Sequence, residues 1–213
     1  MLTKDISKKL FLLDAYALIY RAYFAFSKNP RITSKGFDTS AIYGFTNILF
    51  DLINTEAPTH LGVVFDTPQK THRHIEYVEY KANRDSMPEG ISTAIPYIKQ
   101  ILNAFNIPIL FVDGFEADDV IGTLAKQAEK NNFQTYMLTP DKDFAQLVTE
   151  NILMFRPGTR GNPNEIWDVN KVCEKFDINN VDQVIDFLGM VGDSVDNIPG
   201  ISGVGPKTAS KLL

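Results

Sequence analysis

Gly114-Phe115-Glu116-Ala117-Asp118-Asp119-Val120-Ile121-Gly122 puts three carboxylates within four residues. The apolar run Ile107 to Val112 precedes it. A pattern with apolar residues at helix spacing follows: Val120, Ile121, Leu124, Ala125 and Ala128. The acids therefore sit where a strand hands over to a helix. In an open α/β sheet, ligands bind outside the carboxyl ends of the strands. A plainer reading is available: Asp118 and Asp119 favour the positive end of the helix dipole, with Glu116 as the cap. What decides between them is whether other acids converge on the same edge, because crowded like charges call for a cation.

Working outward, the same arrangement recurs. Leu10 to Leu13 predicts a buried strand closing on Asp14. His60-Leu61-Gly62-Val63-Val64-Phe65 closes on Asp66, and Phe133 to Leu138 runs into Thr139-Pro140-Asp141-Lys142-Asp143. Asn151 to Phe155 predicts one more strand. Helix periodicity covers Ala15 to Phe26 (with one cation, Arg21), Thr39 to Asn54, Ser92 to Phe105, Val169 to Phe176 and Val181 to Met190. Asn29 to Asp38 is a polar connection, and Arg156 to Asn164 a Gly/Pro/Asn loop expected to be mobile. Strands alternating with helices predict an α/β fold: a mainly parallel central sheet flanked by helices, with right-handed crossovers.

In that architecture Asp14, Asp66, Glu116, Asp118, Asp119, Asp141 and Asp143 share one edge, and Asp193 and Asp196 join from the loop after Met190. One strand-end aspartate is ordinary, since loops are rich in Asp. Four strands in succession ending in acid are poorly explained by solubility or capping. Carboxylates without cysteine or histidine ligands favour hard cations, Mg²⁺ or Mn²⁺. Two such ions are the usual device for in-line phosphodiester hydrolysis.

The chain has 213 residues, 44% hydrophobic and 22% charged, as expected of an ordinary globular protein. Its single cysteine, Cys173, excludes an intrachain disulfide and a cysteine-based zinc site, and suits a reducing, intracellular setting. Asp14 interrupts the one signal-like segment, Leu10 to Tyr20, and no run is long enough to span a membrane. The net charge of −5 reads against nucleic acid until the nine acids are set aside, which leaves +4 for the remainder. A metal-neutralised acidic pocket beside basic surface suits a polyanion.

Gln69 to Ile91 has a different character. Lys70, Arg73, Lys81 and Arg84 alternate with His72, His74, Tyr77 and Tyr80, and little in it could serve as core. It reads either as a solvated amphipathic helix or as backbone neutralisation plus base stacking on single-stranded nucleic acid. Lys70, four residues past Asp66, is expected to overhang the acids. Near the C-terminus, Gly200-Ile201-Ser202-Gly203-Val204-Gly205-Pro206-Lys207 pairs a tight glycine turn with a helix start, where backbone can approach a phosphate.

These residues match a family. Val64-Phe65-Asp66, Tyr80-Lys81-Ala82-Asn83-Arg84, the run Glu116 to Leu124, Asp141-Lys142-Asp143 and the run Gly192 to Gly200, in that order, resemble the 5′-nucleases. The closest match is the 5′→3′ exonuclease domain of bacterial DNA polymerase I, and flap endonucleases and phage exonucleases share the pattern. The resemblance runs from about Leu10 to Leu213. It implies a PIN-like or Rossmann-like domain over 1–180 with a helical arch at about 69–91. It also implies the start of a helix-hairpin-helix over 181–213, broken off within its second helix.

The implied first metal site is Asp14, Asp66, Glu116, Asp118 and Asp119; the second is Asp141, Asp143, Asp193 and Asp196. Lys70 falls on the family's active-site lysine, so the implied catalytic set is Lys70, Asp14, Asp66, Glu116, Asp118 and Asp141. Implied DNA contacts are Arg21, Lys70, Arg73, Tyr77, Tyr80, Lys81, Arg84, Gly203, Gly205 and Lys207, with a K⁺ ion at the hairpin. The implied substrate is DNA with a 5′ end or 5′ flap. A cytoplasmic monomer with no membrane role follows, and a polymerase domain on the same native chain. Ala15 after Asp14, His72 and Ile75 depart from the usual bacterial pattern.

Two rival readings have distinct marks. A catalytically silent DNA-binding module would have lost one or more of the nine acids. A metal-dependent phosphatase on small esters would leave the segment 69–91 and the hairpin without purpose.

Overall fold

The computed structural model describes residues 8–158 and 163–213. Part of the loop expected at Arg156 to Asn164, residues 159–162, lies outside the described residues. The elements in chain order begin with β1 (Lys9–Asp14), α1 (Ala15–Ala25), α2 (Ser40–Glu56), β2 (His60–Val64), α3 (His72–Glu76), α4 (Glu89–Ala104) and β3 (Ile109–Leu110). They continue with α5 (Ala117–Lys130), β4 (Gln134–Leu138), a 3₁₀ turn (Lys142–Leu147), β5 (Ile152–Arg156), β6 (Glu165–Trp167), α6 (Val169–Phe176), α7 (Gln183–Val191) and α8 (Pro206–Leu212).

The sheet runs β3-β2-β1-β4-β5-β6, parallel through β5 and closed by an antiparallel β6. β1 is central: Asp14 pairs with Val64 of β2, and Leu13 with Leu138 of β4. Its two faces feed two separate cores. Phe11 and Leu13 pack with α1, α2 and α4, while Leu12 packs with α5, the 3₁₀ turn and α6 to α8. Burial on both faces is why this strand reads as an unbroken apolar run rather than an alternating one. Gly44 lets α2 approach α1 closely, since a Cβ there would meet that of Ala22 at 2.8 Å.

Several expectations change. The run Ile107 to Val112 gives only a two-residue strand, because β3 is the sheet edge and pairs with β2 at Val63 and Val64 alone. Phe111 and Val112 beyond it are exposed. Segment 69–91 contains one short helix, α3, followed by turns. α4 takes over at Glu89, three residues before the expected start. α7 begins at Gln183, not Val181. The 3₁₀ turn and β6 had no periodic signal, being too short for one. No helix of the described residues is long and apolar enough to cross a membrane.

Gly192 closes α7 with φ 73°, and a Cβ there would lie 2.3 Å from the Gly200 nitrogen. Gly192→Ala is therefore expected to cost roughly 1–3 kcal/mol and lower Tm by about 2–4 °C per kcal/mol. Gly189 lies within α7 with nothing near its missing Cβ, so Gly189→Ala should raise stability by up to about 1 kcal/mol. Thermal melts of the two variants check the contrast.

Candidate active site

Each acid is held by the local structure that follows its strand. Asp14 ends β1 and caps α1: one carboxylate oxygen accepts from the Ala17 N–H (3.1 Å) and the other from the Thr139 hydroxyl (3.1 Å). Asp66, just past β2, accepts from the Ala117 N–H at 2.8 Å and so ties β2 to the start of α5. Glu116 caps α5 in a capping box with Asp119, whose carboxylate accepts from the Glu116 N–H at 3.1 Å. Asp141, just past β4, caps the 3₁₀ turn and accepts from the Asp143 N–H at 2.9 Å. Asp193 and Ile198 bridge across the loop after α7, where Asp193 accepts from the N–H groups of Val195 and Asp196.

Crowding shows in the protonation equilibria. Burial, then the charges of Asp14 and Asp141, push Asp118 up to about 8. Burial also raises Asp14 to about 6, helped by Asp66 and Asp141. Asp143 rises to about 6 through burial and the charges of Asp141 and Asp193. These couplings define two carboxylate groups that share Asp141: Asp14, Asp66 and Asp118 on one side, Asp143, Asp193 and Asp196 on the other.

Protein cations answer part of this charge, and most come from segment 69–91. The Lys81 Nζ lies 2.9 Å from Glu116 and 3.6 Å from Asp196, and Arg84 pairs with Asp196 at 2.5 Å. The Tyr80 hydroxyl sits between Glu116 (3.0 Å) and Asp196 (3.2 Å). Arg73 grips Asp119 with two hydrogen bonds, 2.8 and 2.7 Å, which hold that carboxyl below the usual range. Lys142 reaches Asp193 at 3.5 Å.

The expected residues therefore divide. Eight acids gather at one edge, whereas Asp119 turns away to Arg73. Lys70 is exposed and has no ion pair or hydrogen bond with the acids among the described residues, whereas Lys81 reaches Glu116 and Asp196. Tyr80, expected as a stacking platform, is buried at 6% exposure with its hydroxyl on the acids. Tyr77 stays 39% exposed. Arg21 is half-buried, donating to the Gly158 carbonyl beside Arg156. Gly203 and Gly205 lie exposed in the turn into α8, and Lys207 lies exposed in its first turn.

Sequence reading missed Thr139 and Lys142. Both stand in the quoted run Thr139 to Asp143, but only the fold shows their partners.

Among the described residues no three carboxylates are already gathered in the geometry that holds an ion. The donor set nevertheless fits a hard cation. It is all oxygen and crowded with like charge, and Asp143 Oδ1 is buried with no hydrogen-bond partner.

A carboxyl whose folded pKa lies above its unfolded value keeps its proton longer in the native state. Native stability then falls as pH rises from about 4 through the folded value. With Asp14 and Asp143 at about 6 and Asp118 at about 8, the metal-stripped protein should melt at a lower temperature at pH 8.5 than at pH 5. Mn²⁺ should flatten that slope. A melting temperature that climbs over this range without metal would contradict the crowding.

Residues 9–177 match the family model described as 5′-3′ exonuclease, N-terminal resolvase-like domain, and residues 179–213 the model described as 5′-3′ exonuclease, C-terminal SAM fold. A 5′-3′ exonuclease of Aquifex aeolicus is 45% identical over 206 residues, 97% of this chain and 69% of that protein. DNA polymerase I of Bacillus subtilis is 43% identical over 209 residues, 97% of this chain but only 23% of the polymerase. Among solved structures, the T5 5′-exonuclease with bound divalent metal ions (zinc) superposes with TM-score 0.75 at 22% identity, covering 96% of this chain and 74% of that one. The catalytic core of Rad2 in complex with DNA substrate gives TM-score 0.60 at 18% identity, covering 97% and 61%. At that identity the two structures speak for the fold, whereas the match over both halves of the chain speaks for descent: the chain belongs to the 5′-3′ exonuclease family of nucleases.

Proposed function

We propose that the protein hydrolyses phosphodiesters at the 5′ end of DNA. It acts as a 5′→3′ exonuclease and as a structure-specific endonuclease on 5′ flaps, in cytoplasmic DNA replication and repair. The observation that carries this reading is the pair of carboxylate groups sharing Asp141, with Lys81 set between Glu116 and Asp196. Asp14, Asp66, Glu116 and Asp118 would hold one Mg²⁺ or Mn²⁺, and Asp141, Asp143, Asp193 and Asp196 a second. Bound there, the two ions would supply an activated water and offset charge on the scissile phosphate.

The remaining work belongs to the side chains. Thr139 holds the Asp14 carboxylate in place, and the Ala117 N–H does the same for Asp66. Lys81, with its side chain 15% exposed, is the cation able to stabilise charge developing on phosphate oxygens. Lys70 takes the outer role of a strand contact, and Lys207 with the Gly203–Gly205 turn that of a duplex phosphate contact, with the K⁺ of related hairpins. Tyr80 positions Glu116 and Asp196.

A 5′-flap duplex incubated with and without Mg²⁺ separates this reading from its rivals: a silent binding module binds without cutting, and a phosphatase leaves the flap attached. Asp141→Ala, which removes the acid common to both groups, should abolish most cleavage while binding in Ca²⁺ largely survives; wild-type cleavage by that variant would end the two-ion assignment. Lys81→Ala should lose about 10²–10³ in single-turnover rate at saturating enzyme. Lys70→Ala should change chiefly the salt dependence of binding. The reverse ranking of the two lysines would restore Lys70 to the chemistry.

A further inference from the structure

The two carboxylate groups that share Asp141 are not balanced alike. Among the described residues Asp14, Asp66 and Asp118 make no ion pair. Asp14 and Asp66 are held by neutral donors instead, the N–H groups of Ala17 and Ala117 and the Thr139 hydroxyl. The second group is met by full positive charge. Arg84 takes one oxygen of Asp196, while Lys81 and the Tyr80 hydroxyl take the other. Asp193 gives Oδ1 to the N–H groups of Val195 and Asp196, and its Oδ2 faces the Lys142 Nζ at 3.5 Å. Asp143 Oδ1 is buried with no hydrogen-bond partner, and Lys142 partly offsets the charges of Asp141 and Asp193 that bear on that carboxyl.

Lys142 is fixed at its root and free at its tip. Its backbone opens the 3₁₀ turn, which the buried Phe144 and Ala145 pin to the core. Its side chain, 45% exposed, is a flexible stem carrying a compact charge, and among the described residues Asp193 is its one ion-pair partner. A positive charge at Asp193 Oδ2 competes with a divalent ion for the same lone pairs. We propose that Lys142 sets the affinity of the second carboxylate group for its ion, holding Asp193 as a resident counter-charge until a phosphate of the substrate draws it away. The inference rests on the two-ion reading above. It couples the second ion to the nucleic acid: a phosphate that takes Lys142 frees Asp193, and by reciprocity an ion at Asp193 frees Lys142 for phosphate. The first group has no such competitor at Asp14, Asp66 or Asp118, so it fills first. The plainer alternative is a surface ion pair that ties the 3₁₀ turn to the loop after α7, worth little and unrelated to metal.

Titration with Mn²⁺ in the absence of nucleic acid, read from the electron paramagnetic resonance of the free ion, gives the two affinities. Lys142→Gln should tighten the weaker site by about five-fold, the equivalent of one exposed ion pair. The tighter site and Tm should stay at their wild-type values. Lys142→Arg, which keeps the charge, should bind both ions as the wild type does. With a 5′-flap duplex bound in Ca²⁺, calorimetry should find the wild type and Lys142→Gln alike at the weaker site, because phosphate has already taken the lysine. A lower Tm with unchanged affinities would mark the plain ion pair, and equal tightening of both sites a diffuse charge effect; either overturns the proposal. A gap between the two proteins that persists on the duplex overturns the hand-over to phosphate. If the wild type binds one Mn²⁺ at saturation, the two-ion reading fails and this inference with it. Two ions, with the weaker site unchanged in Lys142→Gln, remove the inference alone.

Discussion

Like-charge repulsion at the carboxyl edge of the sheet is the constraint around which this molecule is arranged. Parallel strands bring it about: every crossover returns the chain in the same sense, so the ends of β1, β2, β3 and β4 open on one side. The same geometry supplies part of the remedy. α1, α5 and the 3₁₀ turn all begin at that edge, capped by Asp14, Glu116 and Asp141, and their free N–H groups favour negative charge. That remedy is incomplete, as the raised Asp14, Asp118 and Asp143 show. The unmet charge is what suits the edge to the proposed hard cations and, through them, to phosphate.

The second consequence is mechanical. Segment 69–91 cannot build a core of its own, so it is held by what it touches. Lys81 and Tyr80 engage Glu116 and Asp196, and Arg73 engages Asp119. Further links join the segment to the loop after α7: the Asn83 amide donates to the Ser194 carbonyl, the Asn197 amide to the Glu79 carbonyl, and the Lys81 N–H to the Asp196 carbonyl. Lys81 and Asn197 both take left-handed backbone conformations, φ 56° and 58°, at this junction. Such conformations persist where the surroundings over-determine them. The result joins the two family-model regions through the acids themselves, so the charge that defines the site also fixes its cover.

The two cores explain why this edge is rigid enough to serve. Phe11 stacks on Tyr136 at 4.6 Å on the α1, α2 and α4 side, and Leu12 anchors the other face against α5. Asp14 emerges from the one strand that both cores grip. Thr139, fully buried, links it to the end of β4 by accepting from the Asp141 N–H and donating to Asp14.

The sequence by itself determined the architecture and most of the acid set. A strand buried on both faces must be continuously apolar, and an acid directly after it must fall at the sheet edge, so Asp14, Asp66 and Asp141 were legible from spacing alone. Three matters were left to the tertiary structure. Asp118 and Asp119 are neighbours in sequence, but successive helix residues project about 100° apart, so one faces the acids and the other Arg73. Lys70 is closer to Asp66 in the chain than Lys81 is. Yet Thr71 opens α3 with a capping box, and the segment meets Glu116 and Asp196 only at Tyr80, Lys81 and Arg84. Tyr80, which composition offered as an exposed ring, is buried because its hydroxyl has two carboxylates to serve. Periodicity reports which residues belong to an element. Which way an irregular segment turns depends on partners far along the chain, and here those partners are the acids.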